Sequence, residues 1–285
     1  MSQQPLAYLD AAFLESDEAR PIRILSEYLE PLGRFREQRI HDTVVFFGSA
    51  RVDSRERAER ALKTLKARGV RNADEHYPAE LAKSSKAVEW ARFYEEAREL
   101  ARLLTVWSCA LPFDNHRFVV TSGGGPGIME AANRGAHEAG GKTIGLNIRL
   151  PFEQGANPYI TDGLHFEFHY FFMRKFWFAY LAKALVVFPG GFGTCDELYE
   201  ILTLAQTDKL SKKIQVLLYG RKYWEEVLDL KPMAEWGAIA EKDLELLHYA
   251  DTPADAFEQL KAHLVEHHLE AAQEVAAPGI AKTRG

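Results

Sequence analysis

Three short apolar runs that each end in glycine constrain the fold more than any other feature of this chain. They are Thr43–Phe47 before Gly48, Phe118–Thr121 before the glycines of 123–127, and Ala184–Phe188 before Gly190. A continuous apolar run of this length is typical of a strand that is buried on both faces of a sheet. Helical segments separate the runs, so the pattern predicts a parallel sheet with helices on both sides.

The predicted fold is α/β, a doubly wound, Rossmann-like parallel sheet with helical additions at both ends. Further strands are predicted at 143–148 and 214–219, and an alternating stretch occupies 164–168. We expect one nucleotide-binding catalytic domain at 41–270, a helical arm at 1–40 and a disordered tail at 271–285. The 285 residues are compatible with this division, because single α/β domains commonly reach roughly 250 residues.

Composition excludes several classes of function. A net charge of -6 argues against nucleic acid as a partner. The two cysteines, Cys109 and Cys195, are far apart and outside any CxxC pair, so neither a disulfide framework nor a zinc site is indicated. The first 20 residues are acidic where a signal peptide would be basic and then apolar, and no apolar run approaches the ~20 residues of a membrane span. We therefore expect a cytoplasmic protein without a membrane partner.

Two of the glycine loops, at 123–127 and 190–194, open helices and are candidates for binding a phosphate. Glycine lets a ligand approach the main chain closely, and the first turn of a helix has unpaired N–H groups with a partial positive charge. The alternative is that the glycines only form tight turns, which is less expected for two loops of one sheet. Both loops would lie at the carboxyl edge, where doubly wound sheets bind ligands.

The loops fit a mononucleotide better than a dinucleotide. Gly123-x-Gly125-x-Gly127 has the spacing of the nicotinamide fingerprint, but it follows the second strand rather than the first. Asn147 and Arg149 stand where a ribose-binding Asp or Glu would be expected. A GxxxxGK[ST] motif is missing from the sequence, which excludes a P-loop nucleotidase.

Arg174 and Glu197 are the two candidate catalytic residues. Arg174 lies near the start of an apolar helix, where the helix dipole disfavours a cation, and local rules are most often broken at functional sites. The alternative is an arginine that reaches solvent or a surface carboxylate. Glu197 follows Thr194 with the T-x-x-E spacing of a capping box, so it could simply cap its helix. Helix and strand lengths allow Arg174, Glu197 and the 190–194 loop to meet at one ligand.

Three motifs together resemble the LONELY GUY (LOG) family of cytokinin riboside 5′-monophosphate phosphoribohydrolases. They are Ser122-Gly-Gly-Gly-Pro-Gly-Ile-Met-Glu130, Met173-Arg174-Lys175 and Pro189-Gly-Gly-Phe-Gly-Thr-Cys-Asp-Glu197. The resemblance covers about Thr43 to Asp251. Residues 1–40 and an insertion at 72–113 resemble a longer bacterial subgroup. Such sequences are also often called lysine decarboxylases. The sequence does not support this name, because we identify no lysine that would bind pyridoxal phosphate.

The resemblance implies hydrolysis of the N-glycosidic bond of a nucleoside 5′-monophosphate, a cytokinin riboside monophosphate or AMP, to free base and ribose 5-phosphate. Bond cleavage gives the ribose oxocarbenium character, and a carboxylate can stabilise it or activate the attacking water. Glu197 is the predicted carboxylate, and Arg174 would orient the nucleotide or offset negative charge. The predicted phosphate- and substrate-binding residues are Gly190, Gly191, Gly193, Thr194, Gly124, Gly125, Gly127 and Ser49.

No cofactor and no metal is predicted, since His165 and His169 beside Glu167 lack standard ligand spacing. Two alternatives stay open: a general AMP or purine-nucleotide nucleosidase, and a non-catalytic nucleotide or cofactor carrier. The presence of both Arg174 and Glu197 argues against the carrier. The predicted protein partner is a further copy of the chain, in a homodimer or homohexamer. Aromatic residues cover nearly every face of the predicted helix at 171–183, so it needs a second covering surface. The 1–40 arm is the alternative cover.

Overall fold

A seven-stranded parallel sheet forms the centre of the molecule. The computed structural model describes residues 5–72, 75–149, 155–207 and 212–270; the predicted tail at 271–285 lies outside these ranges. The strands are β1 (Thr43–Phe47), β2 (Val119–Ser122), β3 (Thr143–Ile148), β4 (His165–Phe168), β5 (Ala182–Val187), β6 (Gln215–Tyr219) and β7 (Leu247–Ala250). Their order is β4-β3-β2-β1-β5-β6-β7, and every pairing is parallel.

Ten α-helices accompany these strands in the described residues. They are α1 (Ala11–Glu15), α2 (Arg20–Glu37), α3 (Arg55–Asn72), α4 (Tyr77–Cys109), α5 (Ile128–Glu138), α6 (Phe171–Leu181), α7 (Phe192–Gln206), α8 (Arg221–Val227), α9 (Lys231–Glu235) and α10 (Pro253–Val265). Buried residues of α4, α5 and α10 share one core with one face of the sheet. Buried residues of α2, α6 and α7 share a second core with the other face. The predicted α/β class with a doubly wound parallel sheet is confirmed.

The central strand β1 shows why the apolar runs form buried strands. Val44 and Phe46 belong to one core, and Val45 and Phe47 belong to the other. Successive side chains of a strand point to opposite faces, so a run without polar positions suits only a strand covered twice. The edge strand β4 differs: Phe166 is buried while its neighbours along the strand are exposed, which is the alternation of a half-covered strand.

The predicted insertion at 72–113 is largely one 33-residue helix, α4. Its buried side chains include Tyr94, Leu100 and Leu104, which pack in the same core as α5 and α10. The main chain of α4 also comes so close to α5 that a Cβ at Gly135 would lie 2.0 Å from the carbonyl oxygen of Arg98. The insertion is therefore part of the core rather than a surface addition.

The amino edge of the sheet contains a buried ion pair. Arg117 Nη2 lies 2.7 Å from Asp42 Oδ2, and both side chains are almost fully buried. The other carboxylate oxygen of Asp42 accepts a hydrogen bond of 2.6 Å from the N–H of Phe118, a residue with a φ of +53°. Arg117 also donates to the carbonyl oxygen of His268. This pair therefore fixes the strained residue before β2 and joins it to the segment that follows α10.

The strand order reverses between β1 and β5. From β1 the chain builds outward through β2, β3 and β4, and it then returns to the other side of β1 with β5, β6 and β7. Loops leaving β1 and β5 turn to opposite faces, which opens a crevice between their carboxyl ends. This switch point is where doubly wound sheets bind ligands.

None of the helices in the described residues combines the length and the apolar character that a membrane-spanning segment needs.

Candidate active site

A cavity of about 740 Å³ lies at this switch point. Its walls come from the residues after β1, β2 and β5 and from the first turns of α7. The volume lies within the range of roughly 300–1,000 Å³ that is usual for small-ligand sites. Among the predicted residues, the lining includes Ser49, Arg174, Gly190, Gly191, Gly193, Thr194 and Glu197.

The loop after β1 is held tightly against its two neighbours. The N–H of Ser49 donates to the carbonyl oxygen of Pro189 at 3.0 Å, and its own carbonyl oxygen accepts from the N–H of Ile128 at 3.1 Å. A Cβ at Gly48 would lie within 2.8 Å of the Ile128 side chain, and one at Gly127 would lie 2.3 Å from the Ser49 carbonyl oxygen. Glycine is therefore required at both positions for the main chains to approach this closely.

The loop at 190–194 ends in an uncapped helix start. Gly191 is the N-cap residue of α7, and as a glycine it has no side chain that could cap this end. Gly190 packs on the buried Thr194, because a Cβ there would lie 2.1 Å from Thr194 Oγ1. The first N–H groups of a helix have no partner within it, so this end of the cavity offers donors and a partial positive charge to an anion.

The capping-box alternative for Glu197 is wrong. Because α7 begins at Phe192 with Gly191 as its N-cap, Glu197 belongs to the second turn and not to the N3 position that a capping box requires. The side chain of Glu197 is only 9% exposed, and it lines the cavity. Burial raises the pKa of Glu197 to about 7, against the opposing effects of Lys175 and Arg174. This carboxyl group therefore changes its charge near neutral pH.

Lys175 compensates the negative charge around Glu197. Its Nζ lies 2.8 Å from Asp196 Oδ2 and 2.8 Å from Glu200 Oε2, but 3.9 Å from Glu197 Oε2. The ammonium is therefore engaged mainly by the two more exposed carboxylates. Glu197 keeps its oxygens available on the cavity side, where a water or a ligand can reach them.

Arg174 is held inside the site rather than at the surface. Its Nε donates to the carbonyl oxygen of Leu146 at 2.7 Å, and its guanidinium carbon lies 5.0 Å from the centre of the Phe178 ring. Burial lowers the pKa of Arg174, and Glu197 partly offsets this effect, but an arginine stays charged in proteins. A Cβ at Gly123 would lie 2.6 Å from Arg174 Nη2, so this glycine leaves room for the guanidinium.

The second glycine loop reaches the cavity only through Gly123. The carbonyl oxygens of Gly124 and Gly125 accept hydrogen bonds from Asn157 Nδ2 at 3.0 and 3.1 Å. Gly124 has a φ of +73°, and a Cβ there would lie 1.8 Å from Asn147 Oδ1. Gly124, Gly125 and Gly127 shape the loop in this structure and are outside the cavity lining, so their contact with substrate stays a prediction.

Sequence reasoning missed the apolar wall of the cavity. It includes Trp90 from α4, Phe192 at the start of α7, and Tyr223 and Val227 from α8. The rings of Trp90 and Tyr223 are perpendicular with centres 5.6 Å apart, and Tyr223 Oη donates to the carbonyl oxygen of Gly190 at 2.8 Å. An aromatic residue at helical spacing looks like a core position, so no local signal separates Trp90 from the buried residues beside it.

The histidines considered for a metal lie away from this cavity. His165 is the first residue of the edge strand β4, His169 follows its last residue, and both side chains are exposed. The carboxylate oxygen Oε1 of Glu167 lies 3.7 Å from Arg149 Nε. In ranges 5–72, 75–149, 155–207 and 212–270, no group of three or more His, Cys, Asp or Glu side chains could hold a metal ion.

Comparison with known proteins finds a family model that matches a range containing Arg174 and Glu197. The family model described as "Possible lysine decarboxylase" matches residues 129–260. The cytokinin riboside 5′-monophosphate phosphoribohydrolase LOG of Oryza sativa subsp. japonica is 28% identical over 158 residues, which are 53% of this chain and 62% of the rice protein. A probable enzyme of the same name from Arabidopsis thaliana is 28% identical over 149 residues, 52% of this chain and 74% of that protein. The chain thus spans less than two thirds of the rice relative.

Solved structures with some likeness include two molybdenum cofactor proteins. The molybdenum cofactor binding protein from Rippkaea orientalis has a TM-score of 0.43 and 20% identity, over 60% of this chain and 86% of that one. The molybdenum cofactor carrier protein from Chlamydomonas reinhardtii has a TM-score of 0.42 and 21% identity, over 79% and 99%. The family match and the curated relatives agree with the three motifs, and the chain is similar to the LOG family over the matched range.

Proposed function

We propose that the chain hydrolyses the N-glycosidic bond of a nucleoside 5′-monophosphate, a cytokinin riboside monophosphate or AMP, and releases the free base and ribose 5-phosphate. The observation that carries the proposal is Glu197, a buried carboxyl group with a pKa of about 7 in a 740 Å³ cavity. A carboxyl group that ionises near neutrality suits proton transfer at physiological pH. Arg174 and the uncapped start of α7 line the same cavity.

The substrate would bind with its 5′-phosphate at the start of α7. The N–H groups around Gly191 and Gly193 and the hydroxyl of Thr194 are donors suited to phosphate oxygens. The ribose would then extend toward Glu197, with the base near Arg174. A nucleoside without phosphate would leave these donors without a ligand, so the 5′-phosphate should contribute strongly to binding.

In the proposed reaction Glu197 acts on the attacking water. The ionised carboxylate accepts a proton from water as the water oxygen bonds to C1′ of the ribose. The bond from C1′ to the base nitrogen breaks, and its electron pair stays on the base. The proton passes from the Glu197 carboxyl group to the base, so the sum of the steps adds OH to C1′ and H to the base. Arg174 stabilises the negative charge that develops on the departing base.

Base release from three nucleotides and nucleosides tests the proposal. AMP, isopentenyladenosine monophosphate and adenosine are incubated with the protein, and free base is followed by chromatography. We expect release of base from at least one monophosphate. The kcat/KM for adenosine should be far below the kcat/KM for that monophosphate. Equal kcat/KM for adenosine and AMP would contradict the phosphate-binding role of 190–194. Tight binding of both monophosphates without base release would favour the carrier alternative.

We further propose that the chain works as a homodimer or a larger homo-oligomer. The arm covers one side of α6, where the rings of Tyr28 and Trp177 lie 5.7 Å apart. Nothing in the described residues covers the other side, where Phe172 is 54% exposed and Phe171 is similarly exposed. Exposed aromatic residues are common at interfaces. Light scattering after size exclusion should give at least twice the chain mass of 32.3 kDa. A single species of one chain mass at micromolar concentration would contradict the oligomer.

A further inference from the structure

Among the described residues, two cationic side chains line the cavity, and one of them is held by other groups of the protein. Arg174 is bound to Leu146 and stacked on Phe178. Arg51, four residues beyond β1, lines the same cavity with an exposed side chain. Within the described residues, the Arg51 guanidinium makes no ion pair, hydrogen bond or ring contact, and only its main-chain N–H is bonded. Its donors are therefore free for a ligand.

The main chain that carries Arg51 is fixed. The N–H of Arg51 donates to Ser49 Oγ at 3.1 Å, and Ser49 is bonded through its own main chain to Pro189 and Ile128. The next residue, Val52, is buried in the core. Binding would therefore order only the Arg51 side chain and not the loop, which limits the entropic cost.

The charges on the cavity wall favour an anion. The charged side chains of the lining are Arg51, Arg174 and Glu197, and Glu197 is partly protonated at neutral pH because its pKa is about 7. The wall is thus net positive in a chain with a net charge of -6. Local positive charge in a cleft concentrates anions there, and the planar guanidinium donates two parallel hydrogen bonds to a phosphate.

We propose that Arg51 binds the 5′-phosphate from the β1 side of the crevice, while the start of α7 binds it from the β5 side. This inference rests on the proposed function and names a further residue that recognises the substrate. Arg51 contacts the phosphate, which does not change during the reaction. Its contribution should therefore appear in KM and in ligand affinity, with little effect on kcat.

Steady-state kinetics with AMP test the role of Arg51. We expect Arg51→Ala to raise KM by about 10- to 100-fold, the loss typical of a hydrogen bond to a charged group, with kcat within about threefold of wild type. Arg51→Lys should recover part of the affinity, since a lysine supplies charge without the two-pronged geometry. The matched control is Arg55→Ala, an exposed arginine of α3 outside the cavity lining, which should leave KM unchanged. An unchanged KM in Arg51→Ala would overturn the assignment.

Calorimetry with ribose 5-phosphate and ribose separates this inference from the hydrolase proposal. Arg51→Ala should weaken the binding of ribose 5-phosphate by a similar factor and leave that of ribose unchanged. If the wild-type protein binds ribose 5-phosphate through Arg51 but releases no base from any nucleotide, the hydrolase proposal fails and the Arg51 assignment stands. If hydrolysis is observed and both ligands bind Arg51→Ala as they bind wild type, the Arg51 assignment fails alone.

Discussion

Glu197→Gln is the variant that tests both the chemistry and the electrostatics of the cavity. Glutamine keeps the shape of the side chain but cannot accept a proton from water. We expect base release from AMP to fall by about a thousandfold, within the range of roughly 10²–10⁴ that proton-transfer groups contribute. Binding of AMP should be largely retained, because the predicted phosphate contacts at 190–194 are unchanged.

The same variant should become more stable than wild type as the pH rises. Burial raises the pKa of Glu197 from 4.5 to about 7, so the folded state holds this proton more tightly than the unfolded chain. The stability from this group is fully present below pH 4.5 and is lost as the pH rises through 7. At about 1.4 kcal/mol per pKa unit, the loss reaches about 3 kcal/mol above pH 8. Glutamine does not titrate, so Glu197→Gln should escape this loss.

Urea unfolding of both proteins between pH 5 and pH 8.5 measures the difference. The stability of Glu197→Gln relative to wild type should increase over this range and level off above pH 8. Glu200→Gln is the matched control: Glu200 is more exposed and paired with Lys175 at 2.8 Å, so its removal should give no such gain. A difference that does not depend on pH would refute the burial argument, and near-normal turnover would refute the role of Glu197 as a base.

Three further predictions follow from the packing. Gly123→Ala places a Cβ 2.6 Å from Arg174 Nη2; we expect kcat/KM to fall at least about tenfold with an unchanged circular dichroism spectrum. Burial lowers the pKa values of His263 and His268 from 6.5 to about 4. As the pH drops from 6.5 to 4, the unfolded chain therefore binds protons at these histidines that the folded protein does not bind. The urea midpoint of unfolding should fall over this pH range. Asp42→Asn leaves its buried arginine partner uncompensated and should lower the free energy of unfolding by about 3–5 kcal/mol in urea titrations.

The elements that sequence reasoning located are those whose pattern is local. The run of Thr43–Phe47 is apolar at every position because both faces of β1 are covered, and its predicted bounds agree with the structure. β7 was not predicted, because Leu247–Ala250 is short and only Ala250 is buried. This segment forms a strand because it pairs with the edge of β6. The presence of a neighbouring strand cannot be seen in the sequence of the segment itself.

The candidate site divides in the same way. The motifs located Arg174, Glu197 and 190–194, and these residues line one cavity. The T-x-x-E spacing was misleading for Glu197, because the glycine before Phe192 starts α7 earlier than Thr194 would. Trp90 could not be identified because it comes from a helix far away in sequence. Long-range packing determines both its position and the burial of Glu197.

The switch point between β1 and β5 has a consequence for how the protein folds. Thr43 and Ala182, which begin this pairing, are about 140 residues apart, and contacts so distant in sequence form slowly because a long loop must close first. The loops that carry Ser49 and Gly190 meet only when β1 and β5 pair. During refolding, ligand binding should therefore appear later than helical content. A fragment limited to residues 129–260, the range of the family match, would lack β1 and could not form the cavity.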